Sequence, residues 1–343
     1  MQGAVLYGAR DIRFEHRAEP TIVEPTDAII SLPVTCICGS DLWPYRGIQA
    51  TPGPVPMGHE YCGIVEEIGR GVTSLKRGQF VIGSFFPSDN TCPHCRHGYQ
   101  TSCQQREPVV GAQAPRMRVP LAEGTLVATR DVPDPDMIAS MLALSDVMGT
   151  GWFAADAANV KPGATVVVVG DGAVGLLGVL SAKQMDAERI IAMSRHQSRQ
   201  KLAREFGATD IVTERGDEGV ERIKQLTNGV GADSVLECVG TQESMQQAIR
   251  STRPGGSVGY VGVPHGVTLD GADLFFRHVR LLGGPAPVRR YLPQLIDLVF
   301  AGKINPGKVF DLVLPLDQVA DGYRAMDERR AIKTLLRPQN EKE

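Results

Sequence analysis

Residues 164–175 read ATVVVVGDGAVG, and no other segment constrains the fold as strongly. The run 164–169 is continuously apolar, the composition of a strand buried on both faces. It stops at Gly170, and Ala173–Gln184 then has the composition of a helix. The rhythm repeats. Arg189–Met193 is a second apolar run, residues 199–206 suit a helix, and Asp210–Val212, 234–237 and 257–261 continue the strand series. Gly207, Gly229, Gly231, Pro254 and Gly256 punctuate it. Strands alternating with helices imply right-handed βαβ units and a parallel sheet. Residues 148–283 are therefore expected to form a doubly wound α/β unit of the Rossmann type, with six parallel strands.

Gly170-Asp171-Gly172-Ala173-Val174-Gly175 fits G-x-G-x-x-G in the required context, after a strand and at the start of a helix. The first glycine permits the tight turn, the second lets the backbone approach a pyrophosphate, and the third lets helix and strand pack closely. The free N–H groups at the helix start suit phosphate. About 20 residues further on, NAD(H) sites carry an acidic residue that accepts from the ribose 2′-OH. Here Ser194 stands there, followed by Arg195, His196 and Arg199, with no carboxylate in that stretch. Two guanidinium groups could pair with a 2′-phosphate. The expectation is NADP(H) in preference to NAD(H).

The length of 343 residues suggests two domains. A net charge of −3 offers no basic field for nucleic acid. No apolar run reaches the roughly 18 residues of a membrane helix. The opening MQGAVLYGARDIRFEH lacks a basic start followed by an apolar stretch, so a cytoplasmic location is expected. The first 147 residues hold short β-like runs such as 28–34 and Tyr61–Ile68, frequent Gly and Pro and weak helical periodicity, which suggests a mostly antiparallel, barrel-like domain. The closing AIKTLLRP suits a returning strand.

Seven cysteines, three of them between 92 and 103, fit metal binding better than a disulfide framework. Cys38-Gly39-Ser40-Asp41 and Gly58-His59-Glu60 each set a zinc-type ligand beside a carboxylate that could orient it. Asp89, Cys92, Cys95 and Cys103 form a second cluster, in a Pro- and Gly-rich loop, that suits a closed structural zinc site. His94 and His97 are alternatives for its fourth ligand.

Taken together, CGSD at 38–41, GHE at 58–60, the 92–103 lobe, LSDVMGTG at 144–151, GDGAVG at 170–175 and the terminal IKTLL resemble the zinc-containing medium-chain alcohol dehydrogenase family over essentially the whole chain. The resemblance implies a GroES-like catalytic domain built from residues 1–147 and 284–343, with the Rossmann unit inserted between. It implies two zinc ions per chain. Cys38 and His59 match two catalytic ligands, and Asp146 aligns with the third, commonly Cys and sometimes Asp. Glu60 stands close to that metal. Asp89 occupies a slot that is usually a fourth Cys of the structural site.

Ser40 matches the hydroxyl that relays the substrate proton, while Trp43 stands where relatives often carry a proton-passing His. Trp43, Phe85, Trp152 and Val263 are expected to line the substrate pocket. Gly39, Ser40, Thr150, Cys238, Val239, Gly240, Val261, Val263 and Lys333 are expected at the cofactor, with Lys333 on its pyrophosphate. The implied activity is hydride transfer between an alcohol, aldehyde or ketone and the cofactor, by a homo-oligomer, dimer or tetramer. Polyol dehydrogenases and glutathione-linked formaldehyde dehydrogenases of the same family are alternatives. A zinc-free quinone or enone reductase and a non-catalytic NADPH-binding protein are more distant ones.

Overall fold

The computed structural model describes residues 1–51, 53–107 and 109–338. Two compact units divide the chain: Met1–Asp146 with Pro287–Glu343, and Val147–Ala286.

The second unit is built on a six-stranded sheet. Its order across the sheet is Asp210–Val212, Arg189–Met193, Thr165–Val169, Ala232–Glu237, Thr252–Tyr260 and Arg280–Gly283. Every pairing is parallel. The strand order reverses at Thr165–Val169, so the crevice at the carboxyl ends of the strands opens beside that strand. Residues 166 to 168 have no exposure, as the continuous apolar run requires. Val167, Val169, Ile191, Val235 and Val258 share one core with Ile223, Met245 and Ala248 from the covering helices. Those helices, Gly216–Leu226 and Gln242–Ser251, are not visible in the apolar runs. Their apolar contribution is small, Val220 and Ile223 from one and Met245, Ala248 and Ile249 from the other, because much of the buried face of Gln242–Ser251 is polar.

Gly170 ends the first strand at φ +115°, a left-handed conformation that favours glycine. At Gly175 a Cβ would stand 2.1 Å from the Gly170 carbonyl oxygen, so close packing excludes any side chain. Gly172 differs from both, since a Cβ there would meet nothing within 4 Å. Its exposed backbone faces open space at the start of Ala173–Gln184.

The first unit is mostly antiparallel. Its larger sheet runs in the order Phe310–Pro315, Lys333–Arg337, Ala28–Cys36, Tyr61–Ile68, Phe80–Gly83 and Leu126–Ala128, with Arg116–Val119 also paired to Ala28–Cys36. The one parallel pair joins Phe310–Pro315 to Lys333–Arg337. The latter is the returning strand, and it sets Leu335 opposite Cys36 and Leu336 opposite Thr35. The chain's last strand therefore braces the strand that leads into Cys38. A smaller sheet joins Asp11–His16, Gln2–Gly8 and Val55–Pro56.

This unit also holds helices at Ile138–Leu144, Val288–Phe300 and Val319–Asp327. Val288–Phe300 buries Val288, Tyr291, Leu292, Leu295, Ile296 and Val299, a helical stripe that was present in the sequence despite Pro293 inside it.

Candidate metal and dinucleotide sites

Cys38 leaves Ala28–Cys36 at the mouth of a short 3₁₀ turn, Gly39–Asp41. Asp41 folds back over it, and its Oδ2 accepts from the Cys38 N–H at 2.9 Å. Gly58, at φ +97°, turns the chain into His59 with Gln113 packed against its Cα. Asp146 follows the helix Ile138–Leu144. These local turns gather one ligand atom each from Cys38, His59, Glu60 and Asp146 within 4.8 Å of one another. Asp146 Oδ2 stands 3.4 Å from Cys38 Sγ and 3.3 Å from His59 Nε2. The far side of the imidazole, Nδ1, lies 3.3 Å from Asp41 Oδ1. Asp41 thus orients the ring that faces the cluster, a role its CGSD position suggested only in outline.

The electrostatics are those of a cation site. Burial and the Asp146 and Glu60 carboxylates push the Cys38 thiol up to about 11. Burial opposes a charged imidazole, yet Asp41 and Cys38 hold His59 well above its ordinary value. Burial also raises Glu60, and its Oε2 makes no hydrogen bond among the described residues. Its Oε1 accepts from Lys333 Nζ at 2.5 Å, and the same ammonium donates to the Ile37 carbonyl at 3.1 Å. A thiol, an imidazole and two carboxylates crowded in a buried place, one with an unused oxygen, suit a divalent cation such as zinc.

Lys333 was expected at the cofactor pyrophosphate. The returning strand places it at 1% exposure, with its ammonium on the Glu60 carboxylate. Ser40 lies half-buried on the Cys38 turn, and Gly39 beside it is exposed. Phe85 stacks edge-on to His59 with ring centroids 6.2 Å apart, while Trp43 is half-buried below the Arg46 guanidinium.

The second cluster sits between Ser88 and Gln104. Asp89, Cys92, Cys95 and Cys103 each offer an atom within 4.8 Å of the others. Cys92 Sγ is 3.5 Å from Cys95 Sγ and 4.0 Å from Cys103 Sγ. The structure groups Asp89 with the three sulfurs. His94 and His97 are exposed, and His94 Nδ1 is engaged with the Ser102 carbonyl at 2.7 Å. Asp89 Oδ1 accepts from the Thr91 and Cys92 N–H groups, which ties the carboxylate to the loop. Backbone N–H groups of Gln104 and Cys95 draw the Cys92 thiol down to about 7, towards the thiolate that binds metal.

A zinc ion held by this cluster should be lost in a Cys95→Ser variant, one per chain. The substitution should lower Tm by roughly 5 °C or more, at about 2–4 °C per kcal/mol, with little change in kcat per remaining zinc. Elemental analysis with a thermal melt checks this, and an unchanged zinc content would refute it.

In the second unit, Ala173 and Val174 open the helix behind Gly172, and Cys238 N–H donates to the Val169 carbonyl at 3.0 Å. Sequence reasoning missed Glu237, which has no exposure. Its Oε1 accepts from the Val239 and Gly240 N–H groups, and its carbonyl accepts from Val261 and Gly262. One residue thus holds the two loops that carry Val239, Gly240, Val261 and Val263. Thr150 and Trp152 lie on the helix Val147–Ala157 and are 8% and 7% exposed, whereas Val263 is half exposed.

The stretch after the second strand is engaged within the chain. Ser194 has no exposure, and its hydroxyl donates to Asp171 Oδ2 at 2.7 Å. Arg199 Nη1 pairs with Asp171 Oδ1 at 3.2 Å. Arg195 Nε reaches the Thr213 carbonyl, and His196 is exposed at the helix start. The Ser194 hydroxyl thus meets a carboxylate at the strand end. That carboxylate comes from the glycine turn, 23 residues earlier in the chain.

A buried thiol, imidazole and carboxylate cluster beside a serine, with a G-x-G-x-x-G turn at the switch point of a parallel sheet, is the equipment of a zinc-type dehydrogenase. Comparison with known proteins agrees. The zinc-binding dehydrogenase family matches residues 173–301, and the alcohol dehydrogenase GroES-like domain matches 24–134. A zinc-type alcohol dehydrogenase B of Aspergillus flavus is 31% identical over 98% of this chain and 81% of its own length. An uncharacterized zinc-type alcohol dehydrogenase-like protein of Bacillus subtilis is 32% identical over 98% of this chain and all of its own. The solved alcohol dehydrogenase of a Thermus species superposes with a TM-score of 0.91 at 29% identity, over 99% of this chain and 100% of that one. The chain belongs to the zinc-containing medium-chain alcohol dehydrogenase family and is an oxidoreductase. Membership implies zinc and a nicotinamide cofactor.

Proposed function

We propose that the protein is a zinc-dependent alcohol dehydrogenase or carbonyl reductase that interconverts small alcohols with aldehydes or ketones, using NADP(H) in preference to NAD(H). The observation that carries this is the Cys38, His59, Glu60 and Asp146 cluster, with the Ser40 hydroxyl on the same turn. Cys38, His59 and Asp146 would hold the catalytic zinc, with Glu60 beside it, and Asp89, Cys92, Cys95 and Cys103 the structural one. When bound, zinc supplies a Lewis acid for the substrate oxygen and the nicotinamide exchanges the hydride with the substrate carbon.

The chain's own groups do the rest. Asp41 fixes the imidazole of His59, so the ligand face of the ring does not rotate away. Ser40 Oγ passes the hydroxyl proton outward as the alcohol is oxidised and returns it in reduction. Trp43 has no titratable group, so the proton would pass from Ser40 to water. Phe85, with Trp43, supplies apolar surface against the substrate. Gly172 and the N-terminus of Ala173–Gln184 receive the pyrophosphate. Arg195 and Arg199 would supply the positive charge that favours a 2′-phosphate, with Arg199 shared with Asp171.

The reading also includes a cytoplasmic homo-oligomer. Among the described residues no single helix is long and apolar enough to cross a membrane. Phe275 and Phe276 are 73% and 78% exposed and lie just before the edge strand Arg280–Gly283, which supports self-association. Sedimentation of a pure monomer at micromolar concentration would end that part of the reading.

Zinc analysis, with turnover of an alcohol and aldehyde panel on NADP⁺ and NAD⁺ before and after chelation, tests the whole. Turnover is expected to fall with catalytic zinc and to return with it. Full turnover in zinc-free protein would refute the proposal.

A further inference from the structure

Sites that take NAD(H) carry a carboxylate at the end of the second strand, where it accepts from the adenosine ribose hydroxyls. Arg189–Met193 is that strand here, and the next residue is Ser194, buried and spent on Asp171 Oδ2 at 2.7 Å. The carboxylate at this place is supplied by the glycine turn itself. Asp171 sits between Gly170, which is held left-handed, and Gly172, whose face is open. It is therefore next to the backbone that receives the pyrophosphate.

Charged and polar groups surround it. Arg199 Nη1 reaches Asp171 Oδ1 at 3.2 Å and the Asp171 carbonyl at 3.3 Å. Gln200 Nε2 holds the Ser194 carbonyl at 2.9 Å. Arg195 leans on the Thr213 carbonyl, and Arg215 donates to the Met193 and Glu214 carbonyls. Ser194 and Arg199 occupy only part of the acceptor capacity of a carboxylate, which has about four lone-pair sites.

We propose that Asp171 is the specificity-determining residue for the cofactor: its carboxylate accepts from the ribose 2′-OH of NAD(H) and opposes the 2′-phosphate of NADP(H). This rests on the dinucleotide-binding reading above and qualifies its NADP(H) preference. A 2′-phosphate carries close to two negative charges at neutral pH. It has to share Arg199 with Asp171 and lies near a charge of its own sign. A ribose hydroxyl meets an acceptor instead. Like charges a few ångströms apart near a protein surface change affinity about tenfold or more, even with partial screening by salt. Arg195 and Arg199 pull towards NADP(H), Asp171 pulls towards NAD(H), and the balance between them sets the ratio.

The test is the dissociation constant of NADPH and of NADH, read by nucleotide fluorescence on the zinc-loaded full chain, so no substrate has to be known. Asp171→Asn keeps the shape and an acceptor for Ser194 but removes the charge. The ratio of NADPH to NADH affinity is expected to rise about tenfold in that variant, and Asp171→Glu is expected to keep the wild-type ratio. Asp171→Ser decides the matter if the Asn variant does not fold. An unchanged ratio in a folded, charge-free variant overturns the proposal. Tighter binding of NADH by the wild type, with the shift still seen in Asp171→Asn, upholds Asp171 and removes the NADP(H) preference alone. Failure of the wild type to bind either nucleotide overturns both.

Discussion

Replacing Asp146 with Asn should lower catalytic-site zinc and turnover together, with kcat/KM down on the order of 10²- to 10³-fold. The carboxylate reaches both Cys38 Sγ and His59 Nε2 within 3.4 Å, so it is placed to complete the ligand set. Asn keeps the size but removes the negative charge that a divalent ion requires. Lewis-acid stabilisation of a substrate oxygen is worth several kcal/mol, and about 1.4 kcal/mol is a factor of ten. Zinc per chain and turnover are to be measured on the same preparation. The zinc proposed at Asp89, Cys92, Cys95 and Cys103 should remain, so total zinc falls by one ion and not by two. Full zinc content with full turnover would remove Asp146 from the site.

The second large effect belongs to Lys333. Its ammonium and the Glu60 carboxylate form a pair with each side chain only 1% exposed. Removing one member of a buried pair costs about 3–5 kcal/mol, because the other charge is left without compensation. Lys333→Met should show that loss in denaturant unfolding of metal-loaded protein. The double change Lys333→Met with Glu60→Leu should recover a large part of it, since apolar replacement of a whole buried pair is often neutral. A Lys333→Met cost below about 1 kcal/mol would contradict the burial argument. The same variant separates two roles for Lys333. A pyrophosphate contact predicts weaker NADPH binding, whereas a purely structural pair with Glu60 leaves that constant near wild type.

Both effects trace to a fold that was partly legible in advance. The parallel sheet was readable because strands such as Thr165–Val169 are apolar on both faces and end in a glycine turn. The ligand types were readable because Cys38, His59 and the 92–103 cysteines lie in short segments with their own turn chemistry. Helices such as Val288–Phe300 and Val319–Asp327 were missed, although the first carries a clear apolar stripe. Pro293 interrupts the first of them in sequence, and no cysteine motif marks either one.

Local sequence determined which atoms could bind and what backbone could carry them: left-handed glycines at 58 and 170, no room for a side chain at 175, and thiols at close spacing in the lobe. Only the tertiary structure decided the partners of the charged groups. Lys333 meets Glu60 across 273 residues of chain, and Ser194 meets Asp171 across 23. Neither pairing follows from a motif, because each joins elements that become neighbours only when the sheets form. An ionised side chain near a forming core must find an opposite charge or a hydrogen-bond partner, and strand order dictates which one is within reach. That is why Lys333 lies against Glu60, and why the Ser194 hydroxyl meets a carboxylate from the turn before the helix.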